Sequence, residues 1–340
     1  MLSSPPYACE VGQLDKRAWG TGGDLCPTRA RNYSADHRNL GHARGRTYLD
    51  AMAEIYRVCA AVLKPGGFLV LVTKDMRSRG ALRNLAGDTI ALCEDAGLLY
   101  WQHVIALLAA IRDGELVPRP SFWQRMQIKR ALNRGERTHL VCHEDVLVFR
   151  KPAADEVERA PTAPYAAGAA GRMSFTEPLS VLPVAQAPAR LQRRGRYLPE
   201  STAHPGKMLP ALARTAITRY SEPGDLVVDP MCGIGTTLVE AIHLDRRAIG
   251  VELEPRWASV AANNVLHAQA QGAKGNALAM RGDARDISAG LLDQVAGDVA
   301  LVLTSPPLSE GSGARAERFQ ERSPEAPCRG TVTSTPVLGA

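Results

Sequence analysis

The chain has few of the features that mark secreted, metal-binding or membrane-embedded proteins. Its seven cysteines are scattered and include no Cys-x-x-Cys pair, which argues against disulfides and cysteine zinc sites. His139 and His143 have no third ligand at a suitable spacing, so no metal is expected. The N-terminus has no signal-peptide pattern and no apolar run reaches about 18 residues, so the sequence predicts a cytoplasmic protein.

Acidic residues are outnumbered, 35 against 41 lysines and arginines, which gives a net charge of +6. This excess of positive charge suits a polyanionic partner. Two stretches carry much of it: Arg112, Arg119, Arg125, Lys129, Arg130, Arg134 and Arg137, which accompany Phe122 and Trp123, and then Arg190, Arg193, Arg194 and Arg196. The candidate nucleic-acid-binding residues are Arg119, Trp123, Arg125, Lys129, Arg130 and Arg134. A solvated helix face and an arginine-rich linker are the open alternatives for the two stretches.

Residues 225–252 are predicted to form a strand, a glycine turn, a helix and a second strand. The turn contains the candidate cofactor-binding residues Asp229, Pro230, Cys232, Gly233, Gly235, Thr236 and Thr237. It lacks the third glycine of a dinucleotide-binding turn and the lysine of a P-loop, so a cofactor without phosphate fits better. Glu252 ends the second strand 17 residues after Gly235, near the spacing at which a carboxylate binds ribose hydroxyls.

The run Asp-Pro-x-x-Gly-x-Gly-Thr-Thr resembles the cofactor motif of the DNA amino-methyltransferases, which modify cytosine N4 or adenine N6. This resemblance implies S-adenosyl-L-methionine as the cofactor. It places Asp229, Gly233, Gly235 and Thr236 at the methionine end, and Asp283 at the adenine amino group. His204 and Pro205 resemble the segment before the cofactor motif, which packs beside the methionine part; a plain turn is the alternative for His204.

A Ser-Pro-Pro tripeptide occurs near each end of the chain, and both copies resemble the family's catalytic loop. The first copy comprises Ser4, Pro5, Pro6 and Tyr7, and the second comprises Ser305, Pro306 and Pro307. An exocyclic amine on a base is a poor nucleophile because its lone pair is delocalised into the ring. A serine oxygen and a carbonyl held by two prolines can accept hydrogen bonds from this amine and localise the lone pair.

The order of the predicted elements resembles the permuted β class of these enzymes. The first half is predicted to contain a helix over residues 48–63, a strand over 68–73, a helix over 81–96 and strands over 100–107 and 146–149. The cofactor strands follow, over residues 226–228, 248–251, 278–280 and 299–303. We expect an α/β fold with a Rossmann-like, doubly wound sheet of seven strands in circularly permuted order. Residues 1–150 and 200–308 form its two halves, 151–199 a linker rich in Ala, Pro and Arg, and 309–340 a disordered tail.

Two Pro-Pro loops are more than one such site needs. Either strand four is missing before the first loop and the strand before Ser305 fills its slot, or the chain derives from a longer enzyme, or two chains exchange strands in an oligomer. Tyr7 can stack on an extruded base and Leu308 cannot, so the sequence favours the first loop. Residues 38–42 are predicted to form a plain surface loop, with a lid over the base as the alternative.

The resemblance implies methyl transfer to an exocyclic amine of a nucleic-acid base. Serine as the first residue of the loop favours cytosine N4 in DNA. Transfer RNA guanine-N2 methyltransferases have a similar glycine turn and a Pro-Pro-Tyr loop, so tRNA is the alternative substrate. A cofactor-binding or nucleic-acid-binding protein without turnover is a second alternative, because of the duplicated loop.

Overall fold

The computed structural model describes residues 36, 38–40, 46–78, 81–120, 122–136, 138–153, 179–286 and 295–307. The helices in these ranges are α1 (Arg46–Val62), α2 (Leu85–Asp95), α3 (Phe122–Asn133), α4 (Ala189–Arg193), α5 (Pro210–Tyr220), α6 (Thr236–His243) and α7 (Pro255–Ala270). No helix among them is long and apolar enough to cross a membrane.

The strands fall into one large sheet and two small hairpins. They are β1 (Leu63–Thr73), β2 (Met76–Ser78), β3 (Ala81–Arg83), β4 (Leu99–Leu107), β5 (Ala109–Arg112), β6 (Glu115–Pro118), β7 (His143–Arg150), β8 (Val181–Leu182), β9 (Leu226–Asp229), β10 (Arg247–Glu252), β11 (Asn276–Arg281) and β12 (Val299–Thr304). The large sheet has the order β11-β10-β9-β12-β1-β7-β4-β8.

Strand β12 joins the two halves of the chain. It pairs in parallel with β9 on one side, where Val302 lies opposite Val228, and with β1 on the other, where Leu303 lies opposite Val70. All six residues of β12 are buried, as expected for a central parallel strand covered on both faces. The strand that precedes Ser305 therefore fills the central slot of the sheet, as in the first of the three alternatives above.

Helices cover both faces of the sheet, which makes it doubly wound. On one face, α1 buries Tyr48, Met52 and Ile55, whose spacing of three or four residues places them on one side of the helix. On the other face, α5, α6 and α7 pack their apolar sides against the strands, with Trp257 fully buried. The α/β fold class predicted from the sequence is thereby confirmed.

Two details of the fold differ from the sequence-based expectations. The predicted helix over residues 81–96 begins only at Leu85, because Ala81–Arg83 pairs with Met76–Ser78 in a hairpin. The side chain of Asp75 accepts hydrogen bonds from the backbone N–H groups of Leu85 and Ala86, and so fixes the start of α2 there.

The sheet has eight strands instead of the seven predicted. The additional strand, β8, lies within the predicted linker and pairs in parallel with β4 through Val181 opposite Ile105. This strand is only two residues long, which is too short for a periodic apolar pattern in the sequence.

One edge of the sheet collects the residues of the predicted site. The parallel strands β9, β10 and β12 end there at Asp229, Glu252 and Thr304. The antiparallel strand β7 begins at the same edge, where Asp145 lies opposite Thr73. The hairpin β5–β6 and helix α3, which connect the end of β4 to the start of β7, therefore lie on this side of the molecule as well. Ligands of open α/β sheets bind at this carboxyl edge.

Candidate functional site: a glycine turn at the carboxyl edge of the sheet

The turn between β9 and α6 has the backbone geometry that its glycines suggest. Gly233 and Gly235 have φ values of +54° and +78°, in the left-handed region that other residues rarely adopt. A β-carbon at Gly233 would lie 3.2 Å from Nε2 of His204, and one at Gly235 would lie 3.2 Å from the β-carbon of Ala261. The turn is thus closely packed by the protein itself, and it directs the N-terminus of α6 toward the sheet edge.

Asp229 holds the turn in place from within. One of its carboxylate oxygens accepts a hydrogen bond from the Thr237 hydroxyl at 2.6 Å, and the other accepts one from the Met231 N–H at 3.1 Å. Burial raises the pKa of Asp229 to about 6, although the hydrogen bond from Thr237 opposes this shift. Asp229 and Thr237 therefore contact each other and act on the turn together.

Glu252 bridges the end of β10 to the glycine turn. Its Oε2 accepts a hydrogen bond from the Gly233 N–H at 2.9 Å, and its Oε1 accepts one from the Glu254 N–H at 2.9 Å. Burial raises the pKa of Glu252 to about 7 despite these two bonds. The predicted ribose-binding carboxylate is consequently brought next to the turn, and its charge changes near neutral pH.

His204 is buried against the same turn, and the adjacent Pro205 is buried with it. Nδ1 of the ring accepts a hydrogen bond from the Gly206 N–H at 3.1 Å, so the neutral ring carries its proton on Nε2. The ring packs edge-on against Trp257, with centroids 4.7 Å apart. Burial and the positive charge of Lys207 lower the pKa of His204 to about 3, which keeps the ring neutral.

Asp283 already has a partner within the protein. Arg285 binds both of its carboxylate oxygens, from Nε at 2.9 Å and from a terminal nitrogen at 2.6 Å. Burial alone would raise the pKa of Asp283, but the hydrogen bonds and charge of Arg285 bring it below its usual value. The carboxylate predicted to face the adenine ring is thus ionised and oriented by Arg285.

A short segment from the N-terminal half crosses this part of the edge. Asn39 donates a buried hydrogen bond of 2.6 Å to Oε1 of Glu254, 215 residues away, and Leu40 is buried in the core. Arg285 donates a further hydrogen bond to the carbonyl oxygen of Arg38. The expectation of a plain surface loop was wrong for these residues, because the long-range contact of Asn39 leaves no local sequence pattern. The segment connects to Glu252 through Glu254.

We expect Asn39→Asp to weaken cofactor binding three- to tenfold with little change in kcat. The new carboxylate would face the carboxylate of Glu254, and the repulsion would displace the segment from the site. Steady-state kinetics that separate KM from kcat measure this effect. Asn263→Asp, the same change on the exposed side of α7, is the matched control. An equal loss in both variants would show that added negative charge alone is responsible.

The structure places one of the two Ser-Pro-Pro loops. Ser305 is exposed, Pro306 is buried and Pro307 is partly buried, directly after β12. The Thr237 hydroxyl, bonded to Asp229, also reaches the carbonyl oxygen of Leu303 at 3.5 Å. This loop therefore leaves the sheet beside the glycine turn. The first loop, with Ser4, Pro5, Pro6 and Tyr7, lies outside the described residues, as does Leu308.

The first basic stretch divides into two groups. Arg119 donates hydrogen bonds to the carbonyl oxygens of Ala185 and Gln186, so it ties the β5–β6 hairpin to the segment after β8. The second group consists of exposed side chains on or just after α3, namely Arg125, Lys129, Arg130 and Arg134. Trp123 lies in α3, and its side chain is outside the described part of the chain. The exposed group is the one that has access to a polyanion.

The second basic stretch is largely structural. Arg196 forms a two-pronged ion pair with the fully buried Glu240, both bonds being 2.7 Å long, and Tyr197 and Arg214 bind the same carboxylate. This cluster joins the segment after α4 to helices α5 and α6. The sequence predicted a linker here because Glu240, the acidic partner of Arg196, lies 44 positions further along the chain.

The sheet order, the glycine turn after β9 and the carboxylate at the end of β10 define a Rossmann-like protein with a candidate cofactor site at the carboxyl edge of its sheet. Residues 1–263 match the sequence model of the N6_N4_Mtase family, described as DNA methylase, and the chain belongs to this family.

Curated relatives match over short segments. One segment of 56 residues is 43% identical to the type II methyltransferase M.SmaI of Serratia marcescens, and covers 16% of this chain and 19% of that protein. Another, of 58 residues, is 47% identical to tRNA (guanine(10)-N2)-dimethyltransferase of Methanocaldococcus jannaschii, and covers 16% of each. The matched segments thus span about a fifth or less of these relatives.

Among solved structures, a putative DNA modification methylase of Thermus thermophilus, complexed with S-adenosyl-L-methionine, is similar. It is 23% identical with a TM-score of 0.41, and the match covers 68% of this chain and 81% of that one.

Proposed function

We propose that the chain is an S-adenosyl-L-methionine-dependent methyltransferase that modifies an exocyclic amine of a nucleic-acid base, with cytosine N4 in DNA as its target. One observation carries this proposal: a Ser-Pro-Pro loop leaves β12 beside the glycine turn and Asp229, in a chain of the DNA methylase family. This reaction requires a cofactor turn and an amine-accepting loop that lie on neighbouring strand ends.

The residues at the edge suit the proposed cofactor. S-adenosyl-L-methionine would supply a methyl group on a positively charged sulfur. Glu252 has carboxylate oxygens able to accept bonds from ribose hydroxyls, and Asp283, oriented by Arg285, would accept a bond from an adenine amino group. Asp229 contributes by fixing the turn, in which Gly233 and Gly235 keep the backbone free of β-carbons.

The Ser305 loop is suited to bind the amine. Ser305 is exposed at the end of a rigid central strand, so its hydroxyl oxygen is accessible to an incoming base. Pro306 and Pro307 carry no N–H groups and have fixed φ angles, which limits the directions of the carbonyl oxygens around them. Two hydrogen bonds accepted from the amine would draw its nitrogen toward tetrahedral geometry and localise the lone pair. Methyl transfer then depends mainly on positioning.

The exposed basic side chains of α3 would bind the polynucleotide. Arg125, Lys129, Arg130 and Arg134 lie on the insert at the same edge as the Ser305 loop. Phosphate contacts of this kind set affinity and register without selecting a sequence. The base would have to leave its stack to reach the loop, as in other enzymes that modify bases.

Transfer RNA is the second candidate substrate. The segment that is 47% identical to a tRNA (guanine(10)-N2)-dimethyltransferase favours it. The amine of guanine presents the same delocalised lone pair, and the same loop would serve it.

The test is transfer of labelled methyl from S-adenosyl-L-methionine to matched DNA and tRNA pools, followed by identification of the modified nucleosides by mass. We expect N4-methylcytosine in DNA. N2-methylguanine in tRNA would establish the second candidate, and N6-methyladenine would keep the reaction but change the base. Cofactor binding without any incorporation would contradict the proposal and would indicate a protein that binds without turnover. A Glu252→Ala variant is the control for label transferred by contaminants.

A further inference from the structure

Two exposed apolar side chains lie side by side on the β5–β6 hairpin. Ile111 is directly opposite Leu116 in the pairing, so both side chains are on the same face of the hairpin. They are 47% and 60% exposed. Ile111 directs its N–H group away from Leu116, to Oε1 of Gln186. Opposed residues that are not hydrogen-bonded to each other have the closest side chains, so Ile111 and Leu116 form one apolar projection, here called the hairpin ridge.

The hairpin that carries this ridge is fixed at both of its ends. Its two-residue turn, Asp113 and Gly114, has φ values of +51° and +81°, as in the type I′ turns that match the twist of paired strands. At the other end, the first two residues of β5 are buried, and Arg119 donates hydrogen bonds to the carbonyl oxygens of Ala185 and Gln186. Each strand of the hairpin has four residues and spans roughly 13 Å. A short, well-anchored ribbon therefore presents the ridge to solvent.

The ridge is on the side of the molecule that holds the Ser305 loop. The hairpin follows the end of β4, and only β7 and β1 lie between β4 and β12 in the sheet. Three strand spacings place the end of β4 roughly 14 Å from the end of β12. This separation is close to the width of the major groove of B-DNA, about 12 Å. A duplex that presents a base to the loop would therefore also contact the hairpin.

The charges around the ridge favour a nucleic acid as its partner. Residues 109–136 contain six lysines and arginines and three acids. Glu115 lies directly opposite Arg112, and Glu136 forms an ion pair of 2.7 Å with Arg134, so two of the acids are offset by cations. The other exposed cations are on α3, namely Arg125, Lys129 and Arg130. Phosphates can bind such cations while the stacked bases accept an apolar side chain.

We propose that the hairpin ridge inserts into duplex DNA and fills the space that the target base leaves when it turns out of the stack. The inference rests on the proposed function, because it assigns how the substrate of that reaction is opened. Extrusion of a base loses its pairing and its stacking. Apolar side chains that enter the stack replace part of the lost contact with the neighbouring bases. Ile111 and Leu116 would thus stabilise the extruded state without touching the reacting amine.

The experiment compares the double variant Ile111→Ala/Leu116→Ala with the unmodified protein on two oligonucleotide duplexes. Both duplexes carry the sequence at which the unmodified protein transfers labelled methyl to DNA. In the first the target base is paired, and in the second an abasic site lies opposite it, so that no base pair has to be broken. We expect the single-turnover rate of the variant to fall about tenfold or more on the paired duplex, and to stay within about twofold on the abasic one.

Two further double variants are the controls. Ile111→Val/Leu116→Met keeps apolar side chains of similar size and should retain most of the rate on the paired duplex. Leu266→Ala/Leu278→Ala removes two equally exposed side chains, on α7 and on β11 at the other end of the sheet, and should leave both rates unchanged. Because Ile111 and Leu116 are exposed, their replacement by alanine should leave the melting temperature and the affinity for the cofactor nearly unchanged.

Equal loss of rate on the two duplexes, or loss on neither, would overturn the insertion. A double variant that loses a dimer formed by the unmodified protein, measured by sedimentation, would overturn it as well, because the ridge would then bind a second copy of the chain. If the unmodified protein transfers no methyl to DNA, the proposed function fails at its target before any variant is compared. The two failures are thereby distinguished.

Discussion

Ser305→Ala is expected to lower kcat for methyl transfer by about 10²- to 10³-fold, the usual cost of removing one preorganised polar group from a reacting centre. Affinity for S-adenosyl-L-methionine should stay within about twofold, because Ser305 is exposed at the end of β12 and bonds no residue of the glycine turn in the described structure. Single-turnover rates with DNA, measured beside calorimetric titration of the cofactor, separate the two quantities.

Ser4→Ala is the matched control, since it makes the same change in the other loop. If Ser4→Ala is the damaging variant and Ser305→Ala is silent, the N-terminal loop performs the reaction, as Tyr7 led the sequence analysis to favour. If both variants retain full activity, neither serine oxygen accepts the amine and the proposed role of the loop is wrong. A loss in both would mean that each loop contributes a group to the reacting centre.

The family match favours the N-terminal Ser-Pro-Pro loop, whereas the packing of the sheet favours the loop at Ser305. We follow the packing. The family match runs over residues 1–263, so it includes Ser4 and excludes Ser305. The slot between β9 and β1, however, holds only one strand, and β12 fills it with six buried residues. A loop that continues directly from this strand inherits its position and direction. For this reason we propose that Ser305, and not Ser4, accepts the amine.

The sequence predicted secondary structure correctly where a short run of residues determines its own conformation. The strand-turn-helix-strand unit was predicted correctly because apolar runs, glycines and the spacing to Glu252 all lie within 28 residues. It failed for β8 and for Ala81–Arg83, where two or three residues take their structure from a partner strand. The hydrogen bond between Asn39 and Glu254 also leaves no local pattern in the sequence. Arg193 was assigned to a basic stretch that binds a polyanion or forms a linker, because its burial depends on the loop at Met208.

The second large effect is expected at Glu252, whose pKa of about 7 lies far above its usual 4.5. Ribose hydroxyls bind best to the ionised carboxylate, and a pKa of about 7 leaves roughly one molecule in eleven ionised at pH 6. Cofactor affinity should therefore rise about tenfold between pH 6 and pH 8. Glu252→Ala should weaken binding roughly 10²-fold at pH 8, because the N–H groups of Gly233 and Glu254 also lose their acceptor.

The stability of the protein without cofactor should fall as pH rises, whereas its affinity for the cofactor should rise. The raised pKa means that the fold favours the protonated carboxyl of Glu252, so this contribution is complete below pH 4.5 and is lost as pH rises through 7. The melting temperature of the free protein should fall from pH 6 to pH 8 while cofactor affinity rises. Asp229, with a pKa of about 6, titrates in the same direction, so Glu252→Gln is needed to separate the two groups. Affinity that still rises tenfold in Glu252→Gln would assign the pH dependence to Asp229 and remove Glu252 from the ribose.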